Sequence, residues 1–265
     1  MTEDFRPPGL SLDPVTPESS FSQLLRIHGL GLRWEVPAGA TPIEAAEATT
    51  VLALRYRDGV AMVGDRQATA GTAVAHRKVQ KVYAADAFSA VAISGTAGIA
   101  IELTRLFQTE LEHYEKLEGT RLSLDGKANY LATMLRGQLP LAMQGLVVVP
   151  LFCGYDEKEA TGRLFSYDVV GGRYEEEDHA ATGSGGAEAA SALRANFADD
   201  LSEDDAIKVG LGALVAAAEE DTATGGPDLR RDILPSVVTV SATGFTEVEP
   251  DRVRTHAAAA LEQAP

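Results

Sequence analysis

The chain has 265 residues, 45% of them hydrophobic and 23% charged, which suffices for one large domain with a full core or for two small ones. A formal net charge of −16 argues against nucleic acid or an anionic membrane as partner, because both would repel such a surface. Cys153 is the single cysteine and sits after the apolar run 147–152, so no intrachain disulfide is available and the thiol reads as a packed core group in a reduced compartment.

Residues 1–48 hold six of the twelve prolines, seven acidic and three basic residues. The remainder is richer in Ala, Val, Leu and Gly, and this shift predicts a boundary near Ala48 between a leader and one domain over 49–265. Residues 1–8 have neither the basic nor the apolar region of a secretory signal. No apolar stretch approaches the roughly 20 residues that span a bilayer, so a cytoplasmic protein is expected.

Short β-prone runs over 50–56 and 60–65, split by Arg57-Asp58-Gly59, predict a hairpin with a glycine turn and two largely buried strands. Further strands are expected over 79–83 and over 88–94, the latter ending at Gly95. Ile99, Leu103, Leu106, Leu111, Tyr114 and Leu117 recur near helical spacing and predict a helix over 97–117 with Gly119 at its exit. A second helix is expected over 124–143. Three strands follow over 145–155, 162–170 and 173–181, with Glu175-Glu176-Glu177-Asp178 read as a solvated charge run. Gly183-Ser184-Gly185-Gly186 leads into a helix to about Phe197, another runs over 204–220, and 236–242 opens a final hairpin closed at Thr243-Gly244. Strands, helices, strands, helices, strand is the order of a layered α+β sandwich.

The chemistry concentrates at the composition boundary. Thr49-Thr50 begins the first strand, and Asp65 and Lys81 follow at positions able to reach Thr49. A threonine hydroxyl is a weak nucleophile, but cutting the bond before it frees an α-amine that serves as base within the same residue. That amine titrates near 7.7–8.0 when unperturbed, so no histidine is needed. A neighbouring lysine lowers the hydroxyl pKa, and a carboxylate keeps the lysine charged and oriented. These residues describe a protease that makes its own nucleophile by cleavage at Ala48-Thr49. The five histidines show no ligand spacing with one another or with Cys153, so no metal site and no cofactor are expected. Gly183-Ser184-Gly185-Gly186 lacks the lysine of a P-loop and reads as a turn and cap.

Thr49-Thr50-Val51-Leu52-Ala53-Leu54, Gly64-Asp65-Arg66-Gln67-Ala68-Thr69-Ala70-Gly71, Lys81-Val82-Tyr83, Ser94-Gly95-Thr96-Ala97-Gly98, Thr182-Gly183-Ser184-Gly185 and Asp221-Thr222-Ala223-Thr224-Gly225-Gly226-Pro227-Asp228 occur in that order. Together they resemble the β subunits of the actinobacterial 20S proteasome over roughly residues 49–250. The resemblance implies a four-layer αββα sandwich of the N-terminal nucleophile hydrolase type, with residues 1–48 as a propeptide removed by self-cleavage. It implies Thr49 as nucleophile, Asp65 and Lys81 as its charged partners and Gly95 as the oxyanion-hole glycine. Ser184, Asp221 and Thr224 take the positions around the threonine amine, where the family commonly has serine at the last.

By the same resemblance Ala68, Val79, Ile93 and Ala97 line the specificity pocket, which predicts a preference for an apolar residue before the cut. The family usually has glycine before the nucleophile, whereas this chain has Ala48, whose Cβ restricts the turn needed for self-cleavage. Implied partners are α subunits and other β subunits in stacked seven-membered rings (α7β7β7α7), a proteasomal ATPase, and protein substrates tagged with a ubiquitin-like modifier. A non-catalytic ring subunit and a small-molecule amidase of the same fold are the other classes considered.

Overall fold

The computed structural model describes residues 50–70 and 73–263. Ala48 and Thr49, and the leader call over 1–48, lie outside the described residues.

Two five-stranded antiparallel sheets stack face to face. The first has the order β10-β1-β2-β11-β12, with β1 Thr50–Tyr56, β2 Gly59–Gly64, β10 His179–Gly183, β11 Ser236–Ser241 and β12 Gly244–Glu247. The second has the order β5-β6-β7-β8-β9, with β5 Val82–Asp86, β6 Ser89–Gly95, β7 Val148–Asp156, β8 Thr161–Tyr167 and β9 Arg173–Glu176. A small ribbon of β3 Ala68–Ala70 and β4 Ala73–His76 stands apart from both.

The alternation of side chains along the strands of the two sheets sorts their buried apolar residues into three packed layers. From β1 and β2, Val51, Ala53, Val60 and Met62 point between the sheets, where they meet Val82, Ala90, Ala92, Leu151, Cys153 and Leu164. Leu52, Leu54, Tyr56, Ala61 and Val63 point the other way, onto Leu193 of α4 (Gly186–Asn196) and Ile207, Leu211 and Leu214 of α5 (Glu203–Glu220). On the second sheet Val91, Ile93, Phe152 and Phe165 face outward onto Leu103 and Phe107 of α1 (Ala97–Glu118) and Leu131 and Leu135 of α2 (Leu124–Gly137). Helix, sheet, sheet, helix is the four-layer α+β sandwich expected from the sequence. Because both faces of each sheet are covered, β1 and β2 are almost wholly buried and mostly apolar, Arg55 of β1 being the one half-buried residue in the two strands.

Several boundaries differ from the sequence reading. The first hairpin turns on Arg57 and Asp58 alone, and Gly59 is already in β2, paired with Tyr56. Glycine is needed there for space: a Cβ would lie 2.1 Å from the Val240 carbonyl oxygen of the neighbouring strand. The strand expected over 79–83 is β5, shifted to Val82–Asp86, and the β3–β4 ribbon was not expected. The single helix expected over 124–143 breaks at Gln138 and resumes as the short α3, Leu139–Ala142. Pro140 has no N–H to continue the ladder and restricts the residue before it.

The strand expected over 173–181 is two strands on different sheets. β9 pairs with β8, whereas β10 pairs with β1, and the chain crosses between sheets at Glu177 and Asp178. There Arg55 N–H donates to the Asp178 carbonyl at 2.8 Å and Arg55 Nη1 to the Glu177 carbonyl at 2.9 Å. The acidic run stays largely exposed, as expected of a solvated run, but its backbone and two of its side chains are also engaged. Glu175 also accepts from Arg163 Nε at 2.7 Å, and Glu176 accepts from Ser166 Oγ at 2.5 Å.

A last helix, α6 (Pro250–Gln263), extends past the expected final hairpin. Its buried face is Val253, Ala257 and Ala260, at helical spacing after a helix-starting proline. Among the described residues no helix is long and apolar enough to cross a membrane.

Candidate active site

The N-terminal end of β1 is where four connections converge. Asp65 follows the last residue of β2, and its backbone N–H donates to the Thr50 carbonyl at 3.1 Å, extending the β1–β2 ladder by one rung. Its side chain is fully buried. Lys81 precedes β5 and is pinned by its own carbonyl, which accepts from Ile93 N–H of β6 at 3.1 Å. Sheet register therefore brings two charged residues, 16 apart in sequence, to one point: Lys81 Nζ lies 2.5 Å from Asp65 Oδ1.

The Asp65 carboxylate has a donor for each of its lone-pair directions. Oδ1 accepts from Lys81 and from the Thr50 amide at 3.0 Å. Oδ2 accepts from Gln67 N–H at 3.1 Å and Gly225 N–H at 2.9 Å. Lys81 Nζ also donates to the Gln67 carbonyl. Burial pushes the Asp65 carboxyl up and the Lys81 ammonium down, each opposed by its partner, and the backbone donors on Asp65 add to its anionic form.

A second cluster faces the same strand end from the loop after α5 and the turn between β10 and α4. Asp221 Oδ2 accepts from Thr224 Oγ1 at 2.6 Å, and Ser184 hydrogen-bonds the same carboxylate. Desolvation raises the Asp221 carboxyl, but the bonds from Ser184, Thr224 and the Ala223 and Thr224 amides outweigh it and hold the group below its ordinary value. Ser184 is exposed and Thr224 is buried.

Gly95 ends β6 with φ +105°, and a Cβ there would lie 2.1 Å from the Val147 carbonyl oxygen. Only glycine fits both the backbone angle and the space. The four residues expected to form the specificity pocket, Ala68, Val79, Ile93 and Ala97, line one cleft together with Gly95 and Lys81. Sequence reasoning missed Gln80, Tyr83, Ala100 and Ile101 on its walls. Tyr83 stands two residues after Lys81 within the strand expected over 79–83 and Ala100 three residues after Ala97, so strand and helix periodicity could have found both.

Asp65, Lys81, Gly95, Ser184, Asp221 and Thr224 are thus gathered about the start of β1, at Thr50, the residue after Thr49. Thr50 itself, which the sequence reading treated only as the start of a strand, is fully buried and bonded to both clusters. Among the described residues no group of three or more His, Cys, Asp or Glu side chains is placed to hold a metal ion.

A family model described as proteasome subunit matches residues 45–228. The chain is 48% identical over 260 residues to a protein of Acidothermus cellulolyticus named proteasome subunit beta, covering 96% of this chain and 87% of that one. It is 55% identical over 204 residues to a proteasome subunit beta of Jonesia denitrificans, covering 77% of this chain and 68% of the relative. An αββα sandwich with a buried Lys–Asp pair at the head of its first strand, and sequence identity of this extent, lead to one assignment: the chain belongs to the proteasome subunit family.

Proposed function

We propose that the chain is a catalytic β-type subunit of a 20S proteasome core, a threonine endopeptidase that releases its own nucleophile by cutting Ala48-Thr49. One observation carries the reading. A single oxygen of the buried Asp65 carboxylate holds both the Lys81 ammonium and the amide of Thr50, the residue bonded to Thr49.

In maturation the Thr49 hydroxyl adds to the Ala48 carbonyl carbon, and the Ala48–Thr49 C–N bond breaks as the amine takes up a proton. Water then cleaves the resulting ester, leaving the leader as a carboxylate and Thr49 with a free α-amine. In turnover that amine takes the hydroxyl proton as Oγ attacks the scissile carbonyl of a substrate. The oxyanion is met by the Gly95 N–H, whose approach to substrate is unobstructed by a side chain. The leaving amine takes the proton back from Thr49, and water, deprotonated by the same α-amine, hydrolyses the ester.

Lys81 supplies a fixed positive charge that favours the alkoxide in both reactions, and Asp65 holds that charge in place. Ser184, Asp221 and Thr224 order the region of the α-amine. Ala68, Val79, Ile93 and Ala97 receive an apolar side chain. By the same reading the subunit joins α subunits and other β subunits in stacked seven-membered rings, fed by an ATPase with unfolded or modifier-tagged proteins. The relatives' names, proteasome subunit beta, support the ring assembly.

The test is N-terminal sequencing of assembled complex, with labelling by an electrophile specific for amino-terminal threonine. Mature chains should begin at Thr49 and carry the label. Thr49→Ala should keep the leader, assemble and hydrolyse nothing. A Thr49→Ala protein that still loses its leader and cleaves peptides would overturn the proposal.

A further inference from the structure

The two clusters at the head of β1 are joined by one side chain. The Thr50 hydroxyl lies 2.6 Å from Thr224 Oγ1 and accepts from Gly185 N–H at 3.0 Å, while the Thr50 amide donates to Asp65 Oδ1. Thr224 has one hydroxyl proton, and it goes to Asp221 Oδ2. The bond between the two threonines therefore runs from Thr50 to Thr224. The chain reads Gly185 N–H to Thr50 O–H to Thr224 O–H to the Asp221 carboxylate, every link donating toward the anion.

Gly185 is built for this contact. A Cβ on it would lie 2.6 Å from Thr224 Oγ1 and 3.0 Å from Thr50 Oγ1, so any larger residue would push the two hydroxyls apart. All three participants in the middle of the chain, Thr50, Thr224 and Gly185, are buried. A threonine whose only task was to begin a strand would need neither the hydroxyl nor this clearance.

We infer that Thr50 is a positioning residue for the proposed reaction: its hydroxyl ties β1 to the Asp221 cluster, its amide ties it to the Asp65–Lys81 pair, and the two together fix the direction in which β1 presents Thr49. The inference rests on the proposed role of Thr49. Removing the hydroxyl leaves the Gly185 N–H without an acceptor and Thr224 without a donor, and frees the peptide before β1 to turn about the remaining bond to Asp65. Misplacement of this kind slows the chemical step more than it weakens substrate binding.

The experiment compares Thr50→Val, isosteric but without the hydroxyl, with Thr50→Ser, which keeps the hydroxyl and loses the methyl. Each assembled complex is assayed for kcat, KM and the pH profile of kcat on a peptide with an apolar residue before the cut. Thr50→Val should lower kcat about 10- to 100-fold with KM within twofold, and shift the acid limb of the profile, which reports the α-amine. Thr50→Ser should stay within about threefold of wild type with its profile unchanged. Thr224→Val should reproduce the Thr50→Val loss, and the double variant should be no slower than either single one, as expected for groups acting in one chain.

A Thr50→Ser enzyme as slow as Thr50→Val, or a wild-type profile in Thr50→Val, would overturn the inference. If Thr50→Val does not assemble, Thr224→Val takes its place as comparator, and a Thr50→Ser enzyme as slow as Thr224→Val, or a wild-type profile in Thr224→Val, overturns the inference. Failure of the underlying reading shows separately, as wild-type protein that takes no label at Thr49.

Discussion

The Lys81 ammonium and Asp65 Oδ1 lie 2.5 Å apart with side chains only 4% and 0% exposed, so the pair is shielded from water and depends on its own hydrogen bonds. Buried pairs of this kind gain little over an apolar pair but lose much when one partner is removed. Lys81→Ala should therefore abolish turnover and self-cleavage and also destabilise the fold. Asp65 keeps its three backbone donors, which places the cost at about 1–3 kcal/mol rather than higher. Equilibrium urea unfolding, with leader retention read by intact mass, checks both parts.

Gly95→Ala should be damaging for a geometric reason. Its φ of +105° alone costs a side chain about 1–3 kcal/mol, and the new Cβ would also collide with the Val147 carbonyl. Displacing the backbone there moves the proposed oxyanion donor, so kcat should fall at least about 100-fold. Gly98→Ala, three residues on, is the control. A Cβ at Gly98 meets nothing within 4 Å, and the change should leave activity intact and add a few tenths to about 1 kcal/mol of stability. Thermal melts and peptide hydrolysis of the two variants should diverge.

Among the described residues, the cleft lined by Ala68, Val79, Ile93 and Ala97 contains one charge, Lys81, and that charge is already paired. Peptides with an apolar residue before the cut should be preferred at least about tenfold over those with Lys, Arg, Asp or Glu. Val79→Glu should admit Lys and Arg. A peptide library profiled on both proteins measures the change, and unchanged preference in Val79→Glu would remove Val79 from the pocket.

Acid stability should depend on a pair far from the site. Asp86, the last residue of β5, is 15% exposed and meets Lys127 of α2. Burial raises its carboxyl, but Lys127, the Ser89 hydroxyl at 2.6 Å and the Phe88 amide at 2.9 Å hold it below its ordinary value. A carboxyl depressed in the fold contributes stability that is complete above its unfolded value of about 3.9 and is lost as pH falls through the folded one. Lys127→Met should thus cost about 1–3 kcal/mol at pH 7, and the gap to wild type should close as pH falls below about 4. Urea midpoints measured at both pH values give the result, and a constant gap would contradict it.

The sequence by itself determined the layers and most of the site. The order strands, helices, strands, helices, strand indicates a layered α+β sandwich with the first two strands largely buried, and the resemblance supplies the four αββα layers. Asp65 and Lys81 follow as candidates from nucleophile chemistry, whereas Gly95, Ser184, Asp221 and Thr224 rest on the resemblance alone. The helix exit at Gly119 is likewise local and legible in the sequence, whereas the cap at Ser202, whose Oγ accepts from the Asp205 amide at 3.1 Å, is added by the structure. Local signals fail where a neighbour in space decides. Gly59 is a glycine because of Val240, 181 residues away, and 173–181 splits because each half finds a different sheet edge to pair with. Thr50 is the clearest case. Its β-branched side chain suits any strand start, and only the fold brings Asp65, Gly185 and Thr224 within hydrogen-bond reach of it, because sheet register and the loop after α5 are set by packing of the whole core and leave no trace in the residues around Thr50.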